Sequence, residues 1–194
     1  MGNPSQTVPT LVKYSPEEYL AAEEQADIRH EYRSGETIEM PGGTPAHNEI
    51  ARMLVFLLTA GLRHQPYSIF ITDQRLWIPA VNRYTYPDVM VTPRPPELQP
   101  GRRDTVMNPI WIAEVLSEST ESYDRTDKFR AYRTLPTLQE YLLVAQDTIR
   151  VEHYRKQDRQ TWLFAEYSDR QEVLTLPSLG ISLALAELYE AVDL

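Results

Sequence analysis

The run NPIWIAEVLSEST, residues 108–120, places one carboxylate where a fold has least room for it. Ile110, Trp111, Ile112, Ala113, Val115 and Leu116 surround Glu114, so apolar side chains fall on both faces of a strand formed there. Such a run suits a strand covered on both sides. An ionised carboxylate in that setting loses hydration worth several kcal/mol, roughly, unless a cation, a metal or several donors replace the water. The fold must therefore bring a partner to Glu114.

A second run repeats the oddity. In TYPDVMV, Asp88 sits among Tyr86, Val89, Met90 and Val91. If the two strands pair, Asp88 and Glu114 converge at a sheet end. Two ionised carboxylates side by side repel, and one protonates unless a cation lies between them. Oxygen-only ligation of that kind suits Mg²⁺ or Mn²⁺. Each residue alone has a plainer reading: Glu114 paired with an arginine such as Arg75 or Arg130, and Asp88 binding backbone amides at a strand start.

Around these runs the chain alternates helices and strands. Residues 1–14 read as a loose polar arm, followed by a helix start at Ser15-Pro16 with Glu17 and Glu18 in its first turn. HEYRSGETIEM reads as two short extended segments about Ser34-Gly35. After the break PGGTP, Ile50, Met53, Leu54, Leu57 and Leu58 recur at helical spacing. Three strands follow, YSIFITDQRLWIPA, YTYPDVMVT and NPIWIAEVLS, with the Pro-rich segment PRPPELQPGRRDTVM as a surface loop between the last two. A helix over YDRTDKFRAYRTL, a strand EYLLVAQ, a meander of TIRVEHYRK, TWLFAEYS and EVLTLPSLG, and a closing helix LALAELYEAV complete the order. The expectation is an α/β or α+β domain spanning residues 1–194, with one central mixed sheet.

Composition narrows the chemistry. There is no cysteine, which excludes disulfides, thiolate metal sites and a thiol nucleophile. The four histidines show no HExxH spacing, which argues against a zinc hydrolase. The net charge is −9, the reverse of a nonspecific polyanion binder, although screening confines such fields to about 10 Å and a local basic surface can offset the total. No signal-peptide core opens the chain, Gln6 stands where myristoylation needs Ser or Thr, and no stretch approaches membrane length. The expected location is cytoplasmic.

Pro87-Asp88 on one strand, Glu114 on the next, and the helix–strand–strand–strand–helix–strand order resemble the PD-(D/E)XK, or restriction endonuclease-like, nuclease superfamily. YLAAEEQADIRHEYRSGETIEMPGGTPAHNEIA, YPDVMV, AEVLSEST, YDRTDKFRAYRTLPTLQEYLLV and VEHYRK are similar to a large bacterial family of restriction-type endonucleases within it. The resemblance implies a metal-dependent hydrolase of DNA phosphodiester bonds. Asp88 and Glu114 would hold Mg²⁺ or Mn²⁺, with a main-chain carbonyl near Val115, and a lysine would assist at the developing charge. The superfamily places that lysine two residues after the glutamate, where this chain has Leu116. The resemblance substitutes Lys128, although Asp124 to Lys128 is also ordinary ion-pair spacing on an exposed helix. Glu31, His47 and Asp73 match the family pattern and are expected to line the same cleft; His47 is equally suited to helix capping or a packed imidazole.

Arg94, Arg102 and Arg103 in the Pro-rich loop, and Arg125, Lys128, Arg130 and Arg133 around the second long helix, are candidates to grip a phosphate backbone. A solvated face is the commoner fate of such clusters. Cutting two strands favours a homodimer by analogy. Two other functions fit the residues: a binding or regulatory module that has lost its lysine, and a metal-dependent hydrolase of a small phosphoester.

Overall fold

Two of the expected strands are each cut in two, and the cuts divide the chain between two sheets. The computed structural model describes residues 13–40, 42–118 and 120–194. The arm expected over 1–14 falls outside the described residues up to residue 12, as does the myristoylation reading at Gln6. Tyr14 is anchored: its N–H donates to Gly35 O at 2.9 Å, and its carbonyl accepts from the Tyr32 hydroxyl.

Helix α1 (Pro16–Glu23) starts in a capping box, in which Ser15 Oγ accepts from the Glu18 N–H and Glu18 accepts from the Ser15 N–H. The hairpin β1 (His30–Arg33) and β2 (Glu36–Glu39) turns through Ser34 and Gly35 at positive φ. Helix α2 (Pro45–Gly61) follows. YSIFITDQRLWIPA then forms β3 (Tyr67–Ile71) and β4 (Arg75–Ile78), separated by a turn in which Gln74 N–H donates to Ile71 O. YTYPDVMVT forms β5 (Arg83–Thr85) and β6 (Val89–Pro93). Pro87 has no N–H to offer a ladder, so pairing ends there and resumes after Asp88. Inside the expected surface loop lies β7 (Thr105–Val106), paired in parallel with β4.

Strand β8 (Trp111–Leu116) is followed by α3 (Glu121–Tyr123), a π-helical turn (Asp124–Lys128) and α4 (Phe129–Tyr132). Then come β9 (Glu140–Ala145), β10 (Val151–Lys156) and β11 (Trp162–Tyr167). The expected meander ends at β11, because β12 (Val173–Leu176) leaves the sheet to pair with β13 (Ile181–Ala184). The closing helix is correspondingly short, α5 (Leu185–Leu188), since Leu183 and Ala184 belong to β13.

The larger sheet runs β11-β10-β9-β8-β6-β3, antiparallel except for the central β8–β9 pair. The smaller runs β2-β1-β5-β4-β7. Alternation along β8 gives the large sheet two buried faces. Trp111, Ala113 and Val115 pack with Ile50, Leu54 and Leu58 of α2. Ile112 and Leu116 pack with Leu76 and Ile78 of the small sheet and Ala131 and Tyr132 of α4. Glu114 has the parity of the second face and cannot turn to solvent. Among the described residues no helix is long and apolar enough to cross a membrane.

The β7 loop is pinned by Asp104, which accepts from Arg102 and pairs with Arg75 at the start of β4. The Arg102 hydrogen bond, against partial burial, pulls the Asp104 carboxyl from its ordinary 3.8 down to about 2. A depressed carboxyl contributes stability above its unfolded value and loses it as pH falls through the folded one. Thermal midpoints of wild type and Asp104→Asn measured from pH 6 to 2 are therefore expected to converge between about pH 4 and 2. A gap that persists at pH 2 would contradict the assignment.

Candidate active site

Five residues singled out from the sequence meet where the two sheets and the 121–132 helical segment adjoin. Val115 N–H donates to Asp88 Oδ2 at 2.8 Å, and the Asp88 N–H points to Glu114 Oε2 at 3.4 Å, so each strand's backbone holds the other's carboxylate. This follows from the β6–β8 register, Val89 opposite Ala113, which sets Asp88 beside Glu114 and Val115.

Glu114 is 2% exposed, and its partners answer the question that its sequence poses. Lys128 Nζ lies 2.9 Å from Oε2, and the Tyr132 hydroxyl donates to Oε1 at 2.7 Å. Arg75 pairs instead with Asp104, and Arg130 with Asp127 at the surface. Burial pushes the Glu114 carboxyl well above the usual range, with the Lys128 charge acting against it. Burial also disfavours the charged Lys128, but Glu114, Asp124 and Glu31 outweigh this and hold the ammonium protonated. The surface-pair reading of Asp124 and Lys128 is corrected here: both are buried, 3.4 Å apart.

Both residues lie on the π-helical turn. π-Helical turns widen a helix and recur at functional sites. Here one carries Asp124 and Lys128, with Tyr132 one step further along the same face. Its carbonyls are met by side chains: the Tyr141 hydroxyl donates to Asp124 O at 3.1 Å, and Arg83 donates to Asp127 O.

Glu31 enters from β1. The register pairing Tyr32 with Tyr84 sets Glu31 opposite Thr85, whose hydroxyl donates to it. Tyr123 and Arg33 also donate to Glu31, each at 2.9 Å, and Lys128 Nζ is 3.7 Å away. Burial works against the Glu31 charge, but Lys128, the Thr85 hydroxyl and Arg33 together hold its carboxyl below the ordinary value. The Arg33 guanidinium lies 3.6 Å from the Tyr123 ring centre.

His47 does not cap α2; Thr44 does, accepting from the His47 N–H. The imidazole Nε2 instead donates to Asp88 Oδ2 at 3.1 Å. Burial lowers the His47 pKa, but the hydrogen bond to Asp88 and its charge more than offset this, so it lies above the ordinary value. Gly43 permits the arrangement, since a Cβ there would stand 2.9 Å from Nδ1.

Asp73 is not brought in. It is exposed at the β3–β4 turn and pairs loosely with Arg29. Leu116 has the parity of Glu114 but fills the apolar cluster. Most of the arginines proposed to grip phosphate already have partners: Arg125 pairs with Glu121 and Glu152, Arg102 with Glu24 and Asp104, and Arg133 lies over Phe129. Sequence reading missed Tyr132, Thr85, Tyr123 and Arg33, and took Asp124 only as an exposed partner of Lys128. The spacing of Asp124, Lys128 and Tyr132 was the one available signal.

Asp88 and Glu114 form an all-oxygen donor pair suited to a hard cation. Among the described residues no three His, Asp or Glu side chains gather as a metal cluster. A cation held by these two carboxylates would need water, main-chain oxygen or substrate phosphate to complete its shell, as Mg²⁺ commonly does.

A family model described as "Uma2: Putative restriction endonuclease" matches residues 16–186. The chain belongs to the Uma2 family. It is similar to two Synechocystis sp. proteins that carry the description uncharacterized. Protein sll1609 is 44% identical over 149 residues, spanning 77% of this chain and 84% of its own. Protein slr1290 is 40% identical over 181 residues, spanning 91% and 92%. The fold matches a crystal structure from Anabaena variabilis described as "a putative nuclease belonging to DUF820", with a TM-score of 0.73 over 90% of this chain and 96% of that one. At 20% identity that likeness is one of fold. This Uma2 protein thus has a mixed α/β, restriction endonuclease-like architecture.

Proposed function

We propose that this Uma2 protein is a Mg²⁺- or Mn²⁺-dependent endonuclease that hydrolyses DNA phosphodiester bonds. The observation that carries the reading is the Lys128 ammonium beside Glu114, on the strand next to Asp88, which supplies the third member that the sequence lacks at Leu116. Asp88 and Glu114 would hold the cation, which when bound supplies Lewis-acid polarisation of the phosphate and a more acidic water. Lys128 offsets negative charge developing on the phosphate oxygens. His47 fixes the orientation of Asp88 through Nε2, while Glu31, itself fixed by Thr85, Tyr123 and Arg33, bounds the ammonium from the other side.

A binding module on the same fold draws support from the internally paired arginines and the net charge of −9. Catalysis is preferred because a module needs no lysine buried against three carboxylates. A homodimer, with one site for each strand, completes the proposal, and its mass in solution tests that part. The purified protein with Mg²⁺ or Mn²⁺ is expected to cut at least one of duplex, single-stranded or branched DNA, with cleavage abolished by chelation. Failure on all of these would overturn endonuclease activity on DNA. Cleavage of a simple phosphodiester reporter alone would shift the substrate to a small phosphoester.

A further inference from the structure

We propose that Asp124 is a positioning residue that receives the Lys128 ammonium when a divalent cation takes its place beside Glu114. The inference rests on the metal-dependent reading above. Lys128 Nζ faces three carboxylates at graded distances, Glu114 Oε2 at 2.9 Å, Asp124 Oδ1 at 3.4 Å and Glu31 Oε1 at 3.7 Å. All four side chains are 8% exposed or less. One ammonium for three buried carboxylates leaves the cluster short of positive charge, even with Arg33 on the outer side of Glu31.

In the arrangement seen, the ammonium occupies the oxygen of Glu114 that faces Asp88, which a shared cation needs. Two cations cannot sit on that oxygen in a buried site without strong repulsion. Asp124 offers the nearest alternative. Its Oδ1 is buried and makes no hydrogen bond in this arrangement, and such an acceptor calls for an explanation. A movement of at least about half an ångström brings Nζ within ordinary charge-assisted hydrogen-bond distance of it, and the flexible lysine side chain can swing further in the same direction to clear Glu114 Oε2. The receiver is also held still, since Asp124 N–H donates to Thr120 O and Asp124 O accepts from Tyr141. Lys128 thus serves as the counter-ion of Glu114 until the divalent cation arrives, and stays close enough to act on a bound phosphate.

The test is Mn²⁺ binding by calorimetry to wild type, Asp124→Asn, Lys128→Met and the double variant. Asp124→Asn is expected to weaken binding about 10- to 100-fold, because the displaced ammonium loses its acceptor, while Lys128→Met tightens it about tenfold. In the Lys128→Met background Asp124→Asn is expected to have no further effect, since there is no ammonium to receive. An equal loss in both backgrounds would make Asp124 merely structural and overturn the inference, as would weaker binding by Lys128→Met. No binding by wild type would overturn the metal-dependent function and this inference with it.

Should Asp124→Asn fail to fold, the wild-type ammonium NMR signals decide. The chain has three lysines, of which Lys13 is exposed, Lys156 half-buried and Lys128 buried. Saturating Mg²⁺ is expected to move the Lys128 signal and leave the other two in place. A stationary Lys128 signal in protein that has bound Mg²⁺ would overturn the inference.

Discussion

Glu114→Gln is expected to abolish saturable Mn²⁺ binding and to lower phosphodiester cleavage by about 10³-fold or more, in a protein that remains folded. The substitution keeps the shape of the side chain and removes its charge. Glutamine offers one acceptor oxygen where glutamate has two, so either Tyr132 or Lys128 must face an amide NH₂. Lys128 keeps Asp124 and Glu31, which limits the structural cost. Asp88→Asn is expected to match it in metal binding, since both carboxylates serve one ion. Calorimetry and a cleavage assay run on the same preparations check both. Wild-type binding in either variant would place the cation elsewhere.

Lys128→Met is expected to give the largest loss of stability, about 3–5 kcal/mol, because breaking a buried ion pair strands the charge that remains. In this chain Glu114 and Asp124 lose the ammonium that faces them, while Glu31 keeps Arg33. For a chain of 194 residues the thermal midpoint falls by on the order of 10 °C. The deficit depends on pH in a defined direction. Removing the ammonium takes away the one buried cation that opposes burial at Glu114 and Asp124, both of which already lie above their ordinary values through burial. A carboxyl with a raised folded pKa costs the folded state nothing below its unfolded pKa and progressively more as pH rises toward the folded one. The variant therefore loses ground to wild type on going from acid toward neutral pH. Mn²⁺ is expected to restore more stability to the variant than to wild type, since it replaces the missing charge. A midpoint within about 2 °C of wild type at neutral pH would show that the cluster carries no net charge worth compensating.

Some of this was legible in residue order. The apolar run around Glu114 and the apolar setting of Asp88 marked two strands whose pairing would bring the carboxylates together, and the β6–β8 register bears that pairing out. The capping signal at Ser15-Pro16 and the hairpin at Ser34-Gly35 were local, and both were read correctly. The splits at residues 72–74 and at Pro87 were not, because each half remains a good strand and only sheet membership separates them. The same limit hid the two-stranded β12–β13 pair. Lys128 was ambiguous for a related reason. Four-residue spacing from Asp124 describes an exposed pair and a buried one equally well, and burial is a property of what covers the helix.

The sequence by itself determined that Glu114 would be buried on its strand and that a cation, a metal or several donors had to meet it, and it set Asp88 beside Glu114 on the condition that their strands pair, because strand parity and the cost of a bare buried charge are local facts. Only the tertiary structure decided which cation. Lys128, Tyr132 and Asp124 come from a helical segment and Glu31 and Thr85 from a second sheet, and their convergence on Glu114 depends on how the sheets and that helix pack.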